Sequence, residues 1–176
     1  YYLGTQLPFL TRAEHWRKVG EDILMGEVTR QIYDDGVYFE QSTWYQRYTV
    51  DIYLHFIVLR AAFNNEPGGA PASELEKRLQ AALEFMMYVT RPDGTTPMIG
   101  DDDGGRLLPL TGAAPDDHRG TLAAGAALFG RGDMKSVAGD ASQEVFWLLG
   151  ANGLASYTTL IAEEPDAASK AFEAGG

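Results

Sequence analysis

The hydrophobic pattern is strongest between residues 34 and 63, where it predicts one long buried helix. The Asp35-Gly36 pair favours a turn before that helix, because Gly tolerates positive φ and Asp can bond its own backbone. Ser42 or Thr43 then offers a hydroxyl N-cap, and neither Gly nor Pro follows in the rest of the segment. Apolar side chains fall on nearly every side of the helix: Trp44, Tyr45, Tyr48, Val50, Ile52, Tyr53, Leu54, Phe56, Ile57, Val58, Leu59 and Phe63. A helix that is apolar all round is normally surrounded by other helices.

The start of this helix carries polar and reactive side chains instead: Glu40, Gln41, Ser42, Tyr45, Gln46 and Arg47. The sequence therefore combines a buried helix with a chemically equipped N-terminal end. We interpret that combination as a candidate functional site.

Two further helices have clear start signals. An amphipathic pattern covers about residues 12 to 32, with Thr11 as the expected N-cap and Glu14 completing a capping box. A second capping box, Ser73 with Glu76, begins another helix with an apolar stripe. Its stripe contains Leu75, Leu79, Ala82, Leu83, Phe85, Met86 and Val89.

The connections are marked by Gly, Pro and Asp. Residues 66–72 are predicted to form a loop, and Pro92 ends the helix that follows it. A long Gly- and Asp-rich loop then leads to Asp116 or Asp117, where a weaker helix begins. A fifth helix is expected from residue 140 to 149.

The turns recur at a nearly constant interval. Gly36, Gly94 and Gly153 each follow Asp or Asn, and they are 58 and 59 residues apart. Each interval holds about two helices, so the repeating unit is an αα-hairpin. Turns at a constant interval fall on one face of a helical ring or solenoid. The pattern predicts an all-α fold in which three hairpins make about half of a closed double ring.

Composition narrows the class of protein. The 176 residues, 45% of them hydrophobic, are sufficient for one core. No uncharged apolar run is long enough for a membrane span, and there is no Cys for a disulfide or thiolate site. The formal charge of −11 makes nucleic acid an unfavourable partner. Because the chain starts without Met and ends in Gly-Gly, we expect it to be a piece of a longer protein.

Three stretches carry a resemblance to a known family. The runs DGVYFEQSTWYQRYTVD, RPDGTTPMIGDDDGGRLLPL and EVFWLLG look like the helical domain of heparinase II/III-type polysaccharide lyases and their alginate-lyase relatives. The resemblance covers about residues 16 to 150. It implies the later part of an incomplete α/α toroid, here residues 1–162, with residues 163–176 as a linker or tail toward a β-sandwich domain. In that family the sugar chain lies in the cleft between the two domains.

The resemblance also implies a catalytic residue. The family's catalytic tyrosine falls at the Tyr of an S-x-x-Y segment, which matches Ser42 to Tyr45 here. A lyase acting on a uronate polymer needs a base for the C5 proton, an acid for the leaving 4-oxygen and a neutraliser for the carboxylate. A phenol can serve as acid or base, and we expect the helix N-terminus and nearby arginines to lower the pKa of Tyr45. The family's Asn-His element and sheet-domain His are not found in this chain.

The remaining candidate residues are assigned to the substrate, with helix capping as the default alternative for Glu40 and Gln41: Glu40, Gln41, Trp44, Gln46, Arg47, Asp101 and Arg106. Arg47 is equally suited to a structural pair with Asp51. Trp44 is suited to packing or to stacking on a sugar ring. Residues 101–103 do not have the spacing of a calcium-binding EF-hand loop, so capping and loop bracing are the expected roles.

The function expected from this resemblance is β-elimination cleavage of an acidic polysaccharide, with Tyr45 as proton-transfer group and without a cofactor in this segment. The segment alone is expected to be inactive. A bacterial protein is expected, with a periplasmic or secreted location favoured over a cytoplasmic one. Two alternatives stay open: a non-catalytic carbohydrate-binding or scaffold domain, and a toroid-type glycoside hydrolase using Glu40 and Asp101 as its two carboxylates.

Overall fold

A computed structural model describes residues 1–64, 73–104 and 106–174 of the chain. The loop expected at residues 66–72 lies outside the described residues. Within the described part there are seven α-helices and no strand longer than an isolated bridge. The helices are α1 Tyr2–Gln6, α2 Ala13–Gln31, α3 Thr43–Asn64, α4 Glu74–Val89, α5 Arg119–Phe129, α6 Gly132–Ala138 and α7 Gln143–Thr159. The all-α prediction is confirmed.

The helices pack in two rows. Helices α3, α5 and α7 contact one another, and α4 contacts both α2 and α6. Further contacts of α3 with α4 and of α5 with α6 join the two rows. The predicted stripe of α4 supplies much of the shared core, with Leu75, Leu79, Ala82, Leu83 and Met86 fully buried. This arrangement is the one that stacked helical hairpins produce; its closure into a toroid stays a prediction.

Helix α3 is buried mainly in its first half. Its buried residues run from Thr43 to Phe56, while the side chains from Ala62 to Asn64 are exposed. The expectation that the whole helix is surrounded is therefore wrong for its C-terminal end. Helix α3 is longer than the helices it packs against, so its last turn extends beyond the core.

The turns at Gly36 and Gly94 have the same structure. In the first turn the Tyr33 amide donates to the Val37 carbonyl, and the Gly36 amide donates to the Tyr33 carbonyl. In the second turn the Arg91 amide donates to the Thr95 carbonyl, and the Gly94 amide donates to the Arg91 carbonyl. Both glycines have positive φ, +94° and +86°. In both turns the preceding Asp accepts the amide of the residue after the glycine, at 3.2 Å and 2.9 Å. These two turns are true structural equivalents.

The third turn is not at Gly153. That residue lies in the second part of α7, beyond a kink at Gly150, whose backbone is not helical and where the fifth helix was expected to end. The chain returns instead at Gly139, which has a φ of +77° and ends α6. The constant interval fails because α5 and α6 are short, so their hairpin closes earlier than the two before it.

We call the connections that precede α3, α5 and α7 the rim; its described residues are 32–42, 90–104, 106–118 and 139–142. They lie at one end of the molecule, because side chains at the starts of the three helices contact one another.

The starts of α2 and α4 can be compared with the capping boxes expected from the sequence. The Ser73–Glu76 capping box is present in both directions. The Thr11–Glu14 box is wrong, because Arg12 precedes α2 and makes no side-chain cap bond. Helices α1 and α6 were not predicted, since both are too short to show a periodic pattern.

Residues beyond 162 follow the helices closely. The Phe172 ring packs edge-on against Phe85 at 5.0 Å, and Lys170 pairs with Glu84 at 2.9 Å. The predicted boundary between residues 162 and 163 stays a prediction. None of the described helices has both the length and the apolar character needed to cross a membrane.

The structure of the Gly36 turn predicts that Gly36→Ala destabilises the fold. An L side chain is strained at the positive φ of residue 36, which alone costs about 1–2 kcal/mol, and its Cβ would also meet the Ala81 carbonyl. The matched control is Gly26→Ala in α2, where a Cβ meets nothing within 4 Å. That change should stabilise by about 0.5–1 kcal/mol. Urea unfolding of both variants measures the difference, and equal stabilities would contradict the prediction.

Candidate functional site

The first turn of α3 is fastened to the long rim loop by two hydroxyl side chains. Ser42 Oγ donates to the Asp101 carbonyl at 2.6 Å, and Thr43 Oγ1 donates to the Pro97 carbonyl at 2.8 Å. Two further hydrogen bonds join Thr43 and Ile99. The Thr43 amide donates to the Ile99 carbonyl at 3.0 Å, and the Ile99 amide donates to Thr43 Oγ1 at 3.1 Å. Ser42, one of the two N-caps that the sequence offered, also caps the helix by accepting a bond from the amide three residues later. These bonds fix residues 97–101 against the helix.

Gln46 connects the same turn to the Gly36 turn and to α4. Its Oε1 accepts the Tyr38 amide at 2.6 Å, and its Nε2 donates to the carbonyls of Gly36 and Ala82 at 2.8 Å and 3.2 Å. The side chain is only 2% exposed. The predicted substrate contact of Gln46 does not fit this position, because all of its polar capacity is directed into the protein.

Arg47 is held in a buried charge network. Its guanidinium lies 3.4 Å from Glu144 of α7 and 3.8 Å from Asp51, and it donates to the Asp117 carbonyl at 3.2 Å. Asp51 in turn accepts a 2.7 Å bond from Thr121 of α5. With Arg47 only 2% exposed, the structure favours the structural-pair alternative over a substrate contact.

Trp44 faces inward as well. It is 6% exposed, and its ring meets the His118 ring edge-on at 5.1 Å. Burial, together with the nearby Arg47 charge, lowers the pKa of His118 to about 3, so this imidazole is neutral. The packing role of Trp44 therefore accounts for its position, and stacking on a sugar ring does not. His118 likewise does not reach the rim surface.

Tyr45 differs from these neighbours because its hydroxyl reaches the surface. The side chain is partly exposed, and its Oη donates to Asp103 Oδ2 at 2.8 Å. That hydrogen bond, followed by desolvation and by the charges of Asp103, Asp101 and Glu40, raises the pKa of Tyr45 to about 12. The expected lowering is wrong, because the cation two residues away points inward and the groups near the phenol are carboxylates.

The other predicted contacts lie on the rim. Glu40, Gln41 and the Asp101 side chain are exposed, and Gln41 adopts a φ of +56° just before α3. Arg106 donates to the carbonyls of Ala113 and Ala114 at 2.8 Å and 2.6 Å. Arg106 therefore braces the long loop. Glu40, Asp101 and Tyr45 lie together at one end of α3.

Two pockets on the rim were not predicted from the sequence. One of about 300 Å³ is lined by Thr111, Asp117, Arg119 and Glu144 among others, and one of about 580 Å³ by Arg91, Arg119 and residues of the C-terminal segment. Arg119 borders both and is bound to Asp117 at 2.8 Å. The sequence marked this region only by a turn at residues 93–94 and a helix start at Asp116 or Asp117.

Comparison with known proteins decides the family. The model of the family described as "Heparinase II/III N-terminus" matches residues 1–106, more than half of the chain. The chain belongs to the heparinase II/III N-terminal family. The matched region contains α1 to α4 and the rim loop up to Arg106, and therefore includes Tyr45 and Asp103.

Several heparin-sulfate lyases are similar to this heparinase II/III domain. The lyase of Pedobacter heparinus is 29% identical over 100 residues, or 57% of this chain. Those of Bacteroides thetaiotaomicron and Bacteroides stercoris are 32% and 30% identical over 106 and 102 residues, covering 56% and 57% of the chain. The matched region makes up 15% of the length of each relative. No solved structure matches the chain.

The charge network predicts that Arg47→Met destabilises this heparinase II/III domain by about 3–5 kcal/mol, because it leaves Asp51 and Glu144 buried without their cation. The control is Arg30→Ala, which removes an exposed pair with Glu27 and should change stability by less than about 0.5 kcal/mol. Urea denaturation compares the two. A loss below about 1 kcal/mol for Arg47→Met would show that the network contributes little.

The shifted pKa of Asp51 should make the stability of the fold depend on pH. Burial, opposed by Arg47, raises the pKa of Asp51 from 3.8 to about 6. A group whose pKa is raised by folding contributes stability that is complete below its unfolded value and is lost as the pH rises through its folded value. The wild type should therefore lose roughly 3 kcal/mol or less relative to Asp51→Asn between about pH 4 and pH 7. Urea unfolding across that range measures the difference, and a difference that grows in the opposite direction would contradict the assignment.

Proposed function

We propose that this segment supplies the proton-transfer tyrosine of a polysaccharide lyase that cleaves an acidic, uronate-containing polysaccharide by β-elimination. The observation that carries the proposal is the position of Tyr45. Its hydroxyl is at the surface, while Trp44, Gln46 and Arg47 on either side are buried. Family membership and the similarity to heparin-sulfate lyases support the reaction class.

The reaction suits a phenol in this setting. In β-elimination a base removes the C5 proton, a C4–C5 double bond forms, and the bond from C4 to the 4-oxygen breaks. The departing oxygen must receive a proton, and a phenol that is protonated at neutral pH can supply it. We assign that donation to Tyr45. The base and the group that neutralises the uronate carboxylate would come from other parts of the complete protein.

The charge of the rim supports the expectation that the segment is inactive by itself. Glu40, Asp101 and Asp103 surround the phenol, and the chain has a formal charge of −11. Like charges repel a polyanionic substrate. Binding of an acidic sugar chain beside Tyr45 would therefore require cations from outside this segment.

The test uses the complete protein that contains this chain, incubated with heparan-type and other uronate polysaccharides. The product is followed by the ultraviolet absorbance of the unsaturated uronate. Tyr45→Phe should lower kcat about 100- to 10,000-fold, the usual contribution of a positioned acid or base. The matched control is Tyr48→Phe, a partly exposed phenol one turn further along α3, which should retain activity.

Other results would assign a different function. Saturated reducing ends without unsaturated product would indicate a glycoside hydrolase. Binding of polysaccharide without any product would indicate a carbohydrate-binding domain. Full activity in Tyr45→Phe would remove Tyr45 from the mechanism while leaving the lyase assignment intact.

A further inference from the structure

Asp103 is placed beside Tyr45 by the rim loop and not by the helix that carries the tyrosine. Its Oδ2 accepts the Tyr45 hydroxyl at 2.8 Å, across 58 residues of sequence. The loop before it is fixed by the bonds of Ser42 and Thr43 to residues 97–101. The contact therefore depends on a loop whose position is set by the same helix turn that presents the phenol.

The loop passes close to the start of α3. Gly100 adopts a φ of +74°, and a side chain there would come within 3.0 Å of Ser42. Beyond it, the Asp102 carboxylate accepts the Gly104 amide at 2.5 Å and closes a short turn around Asp103. Only a glycine allows this close approach to the start of α3. The backbone thus directs the Asp103 side chain, and not that of Asp102, toward the phenol.

The direction of the hydrogen bond determines what the phenol can do. A phenol that donates to a carboxylate keeps its proton, because ionisation would place two anions within hydrogen-bond distance. The other charges that act on Tyr45 are the carboxylates of Asp101 on the same loop and Glu40 before α3. All three carboxylates oppose the tyrosinate form, so the surroundings favour an acid over a base.

We propose that Asp103 is a positioning residue that holds the Tyr45 phenol in its protonated, donating form and thereby commits it to protonating the leaving 4-oxygen. This inference rests on the proposed lyase function. The C5 proton then goes to a base outside this segment. As the bond between C4 and the 4-oxygen breaks, the electron pair on that oxygen takes the phenol proton in place of the Asp103 carboxylate. The resulting tyrosinate lies beside a carboxylate, and it regains a proton from water.

The contact is tested on this chain without any activity measurement. Fluorotyrosine is incorporated, because ring fluorine lowers phenol pKa values and brings their titration below the pH that unfolds most proteins. The Tyr45 signal is identified by its absence from the fluorine NMR spectrum of Tyr45→Phe. In Asp103→Asn its midpoint should fall by roughly 1 to 2 pH units.

The matched control is Asp102→Asn. It removes one carboxylate from the adjacent residue, and the amide oxygen can still accept the Gly104 amide. The Tyr45 midpoint should stay within about 0.3 pH units of the wild type, since the phenol donates to Asp103 and the charges that raise its pKa most are those of Asp103, Asp101 and Glu40. Equal shifts in the two variants, or no shift in Asp103→Asn, would overturn the proposal.

A second measurement addresses the role in the reaction. In the complete protein, the alkaline limb of the kcat/KM profile should move to lower pH in Asp103→Asn and stay in place in Asp102→Asn. An alkaline limb that is unchanged in Asp103→Asn would overturn the assignment of Tyr45 as the acid. If no unsaturated product forms at any pH, the lyase function itself fails, and the fluorine titration still decides the contact.

Discussion

The first turn of α3 must satisfy several polar side chains in a place that water does not reach. Ser42 and Thr43 bind the long rim loop, Gln46 binds the Gly36 turn and α4, and Arg47 binds Asp51, Glu144 and the Asp117 carbonyl. A buried polar group without a partner is costly, so each of these bonds restricts the segment that provides the partner. The rim is thereby assembled around one helical turn.

The same requirement explains why Tyr45 is available for chemistry. On a helix, residues three and four apart share a face, so Thr43, Gln46, Arg47 and Val50 direct their side chains into the protein while Tyr45 and Tyr48 lie on the opposite side. The inward residues fix the backbone, and the outward phenol takes its protonation state from the loop they hold. The site is thus a consequence of packing: the buried residues supply position, and in the proposed reaction the exposed one supplies the proton.

Much of the fold could be predicted because its signals are local. The Asp35-Gly36 and Asp93-Gly94 turns, the capping box at Ser73 and the approximate limits of α3 follow from neighbouring residues. The candidate site was only partly predictable: Tyr45 was chosen as the candidate catalytic residue from its flanking motif, while the partners of Gln46 and Arg47 lie up to 97 residues away. The direction of the Tyr45 pKa shift was not predicted because Asp103 is 58 residues away in the sequence. The turn at Gly139 was not predicted because the short helix before it shows no periodic pattern.

Amide hydrogen exchange at Ile99 most directly tests the claim that the first turn of α3 fixes the rim loop. The Ile99 amide donates to Thr43 Oγ1, and no helix or sheet otherwise protects it. We expect this amide to be protected as strongly as the amides in the first half of α3, and Thr43→Val to remove its protection while the helix stays protected. An Ile99 amide that exchanges like a free peptide, beside a protected α3, would show that the first turn of α3 does not fix the loop.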